Sequence, residues 1–387
     1  MVTEQVDILV VGMGPGGGSA AAAAAREGYR VLAVDRRKAV GEPVQCAEFL
    51  PNPMLRHGNL PGVLVQKISG MKTFLPSGER EDSDFPGLMI DRGRLDRAEA
   101  AGAELRLETR LLGLDPATLT ARVKGPEGEY EIRARVVIGA DGPHSGVAQA
   151  AGLPAQKTVH TRQHTLPLKD RYADTDIYLS DDFPGGYGWF FPKGEVANVG
   201  LGIDRRFGDD LGGPLEGLIR ELVARDLVED RLLSRTGGSI PVGGLRPMVH
   251  PGPILLVGDA AGLTHPITGA GIPAALVSGD RAGEAAAEYL AEEDPEALAD
   301  FEEDVRDQFE TSVSRGVARR EELERVWGRP EARTDAPHRP SPGDVAATTP
   351  ATDRHAAVRQ SPSSPRCAPG RCVSPVLTST VRSPAVG

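Results

Sequence analysis

The chain predicts an α/β fold, with a parallel sheet covered on both faces, an inserted and largely antiparallel second sheet, and helices at the C-terminal end. Three observations carry that expectation. Residues 7–11, 30–34, 136–139 and 254–257 are Val/Ile/Leu-rich runs without alternation, the composition of strands buried on both sides. Residues 61–90 and 157–245 alternate more and hold most of the aromatics. Residues 273–325 repeat Ala, Glu and Arg at helical spacing, enough for two helices.

Length and composition fit these parts. A chain of 387 residues is long enough for one large two-layer enzyme or two medium domains. Its net charge of -11 argues against nucleic acid as a partner. Of three cysteines only Cys46 lies in the body of the chain, so no disulfide framework is expected and a reducing cytoplasm fits. No secretory signal is visible and no apolar run reaches the ~18 residues of a membrane span. Composition leaves peripheral docking on a bilayer open.

In chain order, the first two parallel strands flank an alanine-rich helix and form a βαβ unit. Residues 104–133 contain "LDPAT" and "GPEGE", which read as the turns of a small antiparallel meander. Residues 215–227 carry apolar side chains at Leu215, Leu218, Ile219, Leu222 and Val223, the buried face of a helix. After Pro330 the chain turns to Pro, Ser, Thr, Ala and Arg with a single Leu377 from residue 333 onward. Such a segment buries too little apolar surface to offset its ordering entropy, so residues 331–387 are expected to be disordered. Cys367 and Cys372 in that tail lack further ligands nearby, and no metal is expected.

Three motifs carry chemistry. Gly12-Met13-Gly14-Pro15-Gly16-Gly17 is a GxGxxG between a strand and a helix. Gly12 permits the tight turn, Gly14 lets the backbone approach a pyrophosphate, and Gly17 lets helix pack on strand. Asp35, with Arg36 beside it, ends the second strand, where a carboxylate accepts hydrogen bonds from an adenosine ribose. These residues point to a dinucleotide without choosing between nicotinamide and flavin. Downstream, "GDAAG" at 258–262 and "HPITGAGI" at 265–272 bring the chain back to the same sheet. Asp259 is placed for ribityl hydroxyls, and the turn through Gly269 and Gly271 for a flat ring, which favours a resident flavin. "GADG" at 139–142 adds Asp141 and Gly142 at a third strand end.

Together these motifs resemble an FAD-dependent group that includes para-hydroxybenzoate hydroxylase-like monooxygenases and the geranylgeranyl reductases. The resemblance covers roughly residues 5–325, and "PVQCAE" (43–48), "YGWFFP" (187–192), "ANVGLG" (197–202) and "GDAAG…P.TG.GI" (258–272) are similar to the reductase branch. It implies a Rossmann-like FAD-binding domain in three pieces (1–60, 90–156, 246–290). A substrate domain (61–89, 157–245) and C-terminal helices (291–330) complete the expected organisation. It also implies that Gly258, Pro266, Ile272, Ala47 and Arg92 join the cofactor site, and that Cys46, Tyr187 and Trp189 serve catalysis while Phe191 and Pro192 contact substrate. Ala47 stands where the family has glycine, which puts the loop geometry in doubt, and about two helical turns are missing after Arg97.

The implied reaction is hydrogenation of isolated double bonds in a geranylgeranyl or other polyprenyl chain, borne on a lipid, a diphosphate or a menaquinone tail. The electron donor stays open among NADPH, ferredoxin and a deazaflavin, with an electron-donor protein as a further partner. An aromatic monooxygenase or halogenase, a quinone-linked electron-transfer flavoprotein and an inactive FAD-binding protein remain rival readings.

Overall fold

The computed structural model describes residues 3–100 and 102–339. Strands Ile8–Val11, Val31–Val34, Val136–Gly139 and Ile254–Leu256 lie parallel in one sheet, every residue of them buried. Helix Pro15–Arg26 links the first pair and helix Ile272–Glu292 packs across it. The two helices approach closely because neither presents a bulky side chain. A Cβ on Gly279 would lie 2.2 Å from the Gly16 carbonyl oxygen, and one on Gly283 2.4 Å from that of Ala20.

One expectation about this sheet is corrected. Glu104–Arg106 does not open the meander but adds a fifth parallel strand beside Val31–Val34. It sits at the sheet edge and is largely exposed, so it lacks the apolar run that marks its neighbours. The meander itself is Arg110–Asp115, Thr120–Gly125 and Gly128–Arg133, with Thr3–Gln5 added in parallel at its side.

The second sheet has seven strands, centred on Thr158–Pro167, Val196–Ile203 and Gly188–Lys193. Helix Gly212–Ala224 covers one face, against Phe190, Val199 and Leu201. The helix starts three residues before Leu215, with Pro214 in its first turn, and stops before Asp226, which takes a left-handed φ of 56°. Of the 61–90 segment, only Met71–Phe74 and Arg80–Ser83 join this sheet. Leu64–Ile68 and Gly87–Ile90 pair instead in a three-stranded sheet with Phe49–Pro51.

The C-terminal part is helix Glu296–Glu324, then a 3-10 turn at Pro330–Arg333. Disorder from residue 331 is corrected for the first nine residues. Ala332 is buried, Arg333 pairs with Asp181 at 2.8 Å, Asp335 accepts from the Ser77 hydroxyl at 2.7 Å, and Arg339 pairs with Glu79 at 2.9 Å. These polar partners replace the apolar anchors whose scarcity suggested disorder. The rest of the tail, with Cys367 and Cys372, lies outside the described residues.

Candidate active site

A continuous cleft of about 1760 Å³ runs between the two main sheets. That is well above the roughly 300–1,000 Å³ of a pocket for one small ligand, so an extended dinucleotide and a second molecule fit together. Two helix ends open onto it. Gly14 caps Pro15–Arg26 and Gly271 caps Ile272–Glu292, and neither helix has a side-chain N-cap. Unpaired N–H groups and the positive helix ends therefore face the cleft, as an anionic group requires.

The glycine turn is shaped for close approach. Gly12 has φ +95°, and a Cβ there would lie 2.5 Å from the Ala140 carbonyl oxygen. A Cβ on Gly17 would sit 1.8 Å from the Gly12 oxygen, so that glycine serves packing and does not line the cleft. Asp35 holds the turn, accepting from Met13 N–H at 2.7 Å and Arg37 N–H at 2.8 Å, while Arg36 stands on the rim. Asp141 is bound within its own loop by Ser145, Gly146 N–H and Val147 N–H, which fixes Gly142 at the cleft wall. Gly16, Gly258, Asp259, Gly269 and Ile272 also line the cleft, and Asp259 accepts from the Thr264 hydroxyl. Burial pushes the Asp259 carboxyl above its ordinary range. Pro266 is a correction. It borders an adjoining void of about 30 Å³ that shares Tyr187 and Trp189 with the cleft, and the last helix covers it at Gly316.

Cys46 and the aromatic strand meet across the same cleft. Along Gly188–Lys193 side chains alternate, so Trp189 and Phe191 face the cleft with Tyr187 just before them, while Phe190 faces the covering helix. Pro192 falls on the Phe190 side of that alternation and does not line the cleft, which corrects its expected contact with substrate. Tyr187 donates its hydroxyl to the Thr268 carbonyl, tying the aromatic strand to the Gly269–Gly271 turn. Phe49 extends the apolar wall, 6.0 Å from Phe191 and 5.7 Å from Phe85 between ring centres.

The Cys46 loop is held on every side. Burial pushes its thiol up, with the Arg92 charge working against that shift, so the thiol keeps its proton at neutral pH. Arg92 is clamped by Asp96 through two bonds of 2.9 and 3.0 Å and lines the cleft near Gly14. The doubt over Ala47 resolves at the next residue: Glu48, not Ala47, takes the left-handed φ, at +70°. Its buried carboxylate offsets that strain, accepting from Arg92 N–H at 3.0 Å, Lys193 Nζ at 2.7 Å and Asn198 Nδ2 at 3.2 Å. Glu48 and Asn198 stand in the quoted motifs, but their joint role follows from contacts about 150 residues apart. Gln163 lies outside every motif. Helix Arg92–Glu99 is short, as its sequence implies, and still packs on Pro15–Arg26, with Gly18 against Asp96 and Glu99.

Comparison with known proteins places this architecture. Residues 158–232 match the profile of the geranylgeranyl reductase catalytic domain and residues 69–181 that of an FAD binding domain. Digeranylgeranylglycerophospholipid reductase 2 of Methanopyrus kandleri is 36% identical over 316 residues, 76% of this chain and 80% of the relative. The chain belongs to the geranylgeranyl reductase family. Its fold matches the crystal structure of a geranylgeranyl bacteriochlorophyll reductase-like protein from Thermoplasma acidophilum. That match has TM-score 0.77 and 29% identity, covering 84% of this chain and 89% of the other. Aklavinone-11 hydroxylase in complex with FAD and aklavinone matches with TM-score 0.65 at 23% identity, over 86% of this chain and 73% of that one, a likeness of fold alone. FAD is the cofactor of this reductase fold, and the uncapped helix ends and the glycine cradle fit it.

Proposed function

We propose that this geranylgeranyl reductase family member hydrogenates isolated C=C bonds of a geranylgeranyl or other polyprenyl chain. The observation that carries the reading is the meeting, in one cleft, of two uncapped helix ends with Cys46, Trp189 and Phe191. FAD, when bound and reduced, supplies the hydride. Gly12, Gly14 and Gly16 would hold its pyrophosphate on the first helix end, with Arg92 adding charge nearby. Asp259, Gly269 and Gly271 would hold the ribityl chain and ring edge.

The remaining work falls to the apolar arm of the cleft. Phe49, Phe191 and Ile177 exclude water along a path that suits a hydrocarbon. Positive character developing at the alkene carbon is met by the face of Trp189. Cys46 holds a proton at Sγ beside this path, in a loop whose position is fixed. A prenyl-lipid substrate brings the protein to a bilayer surface, although no helix among the described residues is long and apolar enough to cross a membrane.

The test is anaerobic incubation of the chemically reduced protein with geranylgeranyl compounds, followed by mass spectrometry. Products heavier by successive pairs of hydrogens support the reading. An unchanged prenyl chain, with hydroxylation of an aromatic once oxygen is admitted, overturns it.

A further inference from the structure

We propose that Gln163 is a positioning residue that locks the Cys46 loop and the Trp189 indole to each other. The inference rests on the reductase reading above. Its amide oxygen accepts from Trp189 Nε1 at 3.0 Å, and its amide nitrogen donates to the Cys46 carbonyl at 3.1 Å. Gln163 is 6% exposed and lines the cleft. One side chain thus spans the thiol-bearing loop and the aromatic wall, using a donor at one end and an acceptor at the other.

The strand register explains how the indole reaches it. Gln163 and Trp189 both lie opposite Gly200, on either side of the strand Val196–Ile203. A Cβ at Gly200 would stand 2.4 Å from the indole ring, so only glycine lets the ring lie across that strand toward the amide. The adjacent row repeats the device. Asn198 lies opposite Thr165 and Phe191, accepts from the Thr165 hydroxyl at 3.1 Å and donates to the Ala47 carbonyl at 3.3 Å. Two amides on neighbouring rows therefore pin successive carbonyls of the loop, and Gln163 alone also holds the indole. A neutral amide suits this task, since an ionised side chain could not both donate and accept there.

The test uses the full-length, FAD-loaded protein carrying Cys367→Ser and Cys372→Ser, so that Cys46 is the single thiol. Gln163→Met removes both bonds at similar length, and Gln163→Glu keeps an acceptor for the indole. The chain has two tryptophans, so two indole N–H signals are expected in a nitrogen-15 spectrum, and Trp327→Phe assigns them. Gln163→Met should retain FAD, move the Trp189 signal and change the rate of Cys46 alkylation by iodoacetamide about fivefold. Its turnover of a geranylgeranyl lipid should fall about tenfold with KM little altered, as misplacement of positioned groups does. Gln163→Glu should keep the indole N–H hydrogen-bonded, its signal downfield of that in Gln163→Met.

Alkylation and turnover within about twofold of the parent, with the indole signal unmoved, in Gln163→Met would overturn the proposal. Loss of FAD from both variants would also overturn it, because Gln163 would then be holding the fold. If the parent reduces no prenyl chain, the reductase reading fails, and the alkylation and indole signals still decide the role of Gln163.

Discussion

Trp189 packs edge-on to Tyr187, with 6.0 Å between ring centres, and is fixed through its one polar atom. Removing the ring leaves the glycine turn untouched. Trp189→Ala should therefore bind FAD at parental stoichiometry yet lose most turnover on prenyl substrates, measured by flavin absorbance and product mass. Its stability should drop by about 3–5 kcal/mol in a urea titration, as expected for a large buried aromatic. Release of the flavin would instead make the aromatic strand part of the cofactor's support. Away from the cleft, Asp176 is fully buried in strand Thr175–Tyr178 of the second sheet, accepting from Tyr172 at 2.9 Å and Tyr178 at 3.2 Å. Burial raises its pKa to about 6, against the pull of those hydroxyls and Lys72. A raised carboxyl favours the folded state when protonated, so this contribution is complete below the ordinary value near 3.8 and lost as pH climbs to about 6. Between those pH values stability should fall by roughly 2–3 kcal/mol from this group, and Asp176→Asn should flatten the slope in urea midpoints across the range.

Among the elements, helices Pro15–Arg26 and Ile272–Glu292 depend on small residues at their crossing, where Ser19 also donates to the Leu276 carbonyl at 2.9 Å. Gly283→Leu forces a side chain toward the Ala20 backbone. The expected cost is about 1–3 kcal/mol of overpacking, and FAD affinity should weaken because the displaced helix carries the glycine turn. Calorimetry with a flavin titration checks both, and unchanged flavin affinity would uncouple packing from the turn. These helices and the four buried strands were legible because glycine, alanine and unbroken Val/Ile runs are local signals of burial. The strand Glu104–Arg106 was not, since two of its three side chains are charged and it has one neighbour. Strand alternation sets Tyr187, Trp189 and Phe191 on the cleft face and turns Pro192 to the other. Gln163 and Glu48 act through partners 117 and 145 residues away, a relation no local pattern encodes.

For the whole molecule, the segment after helix Glu296–Glu324 reaches back to one end of the second sheet, next to Ser77, Asp181 and Phe207. Trp327 stacks edge-on to Phe207 at 5.7 Å and under Arg320 at 5.0 Å, and Arg320 in turn bonds Asp204 and the Gly185 carbonyl. The contacts of residues 331–339 are exposed ion pairs and polar hydrogen bonds, which contribute little individually. A chain ending at Pro330 should therefore melt only slightly below one ending at Arg339, by about 1 kcal/mol, with FAD still bound. A chain ending at Glu324 also loses Trp327 and should fall further, by about 3 kcal/mol or more. Differential scanning of the three chains orders them, and equal melting of the last two would mean that Trp327 anchors nothing.

The row of Gln163, Gly200 and Trp189 has a consequence for descent. The ring ties the other two together: it needs the bare strand beneath it, and its N–H needs the amide oxygen. A lineage that exchanges the indole for a smaller side chain frees position 200 to regain a Cβ and position 163 to lose its amide. The three sites should consequently be inherited as a unit across relatives, changing together or not at all.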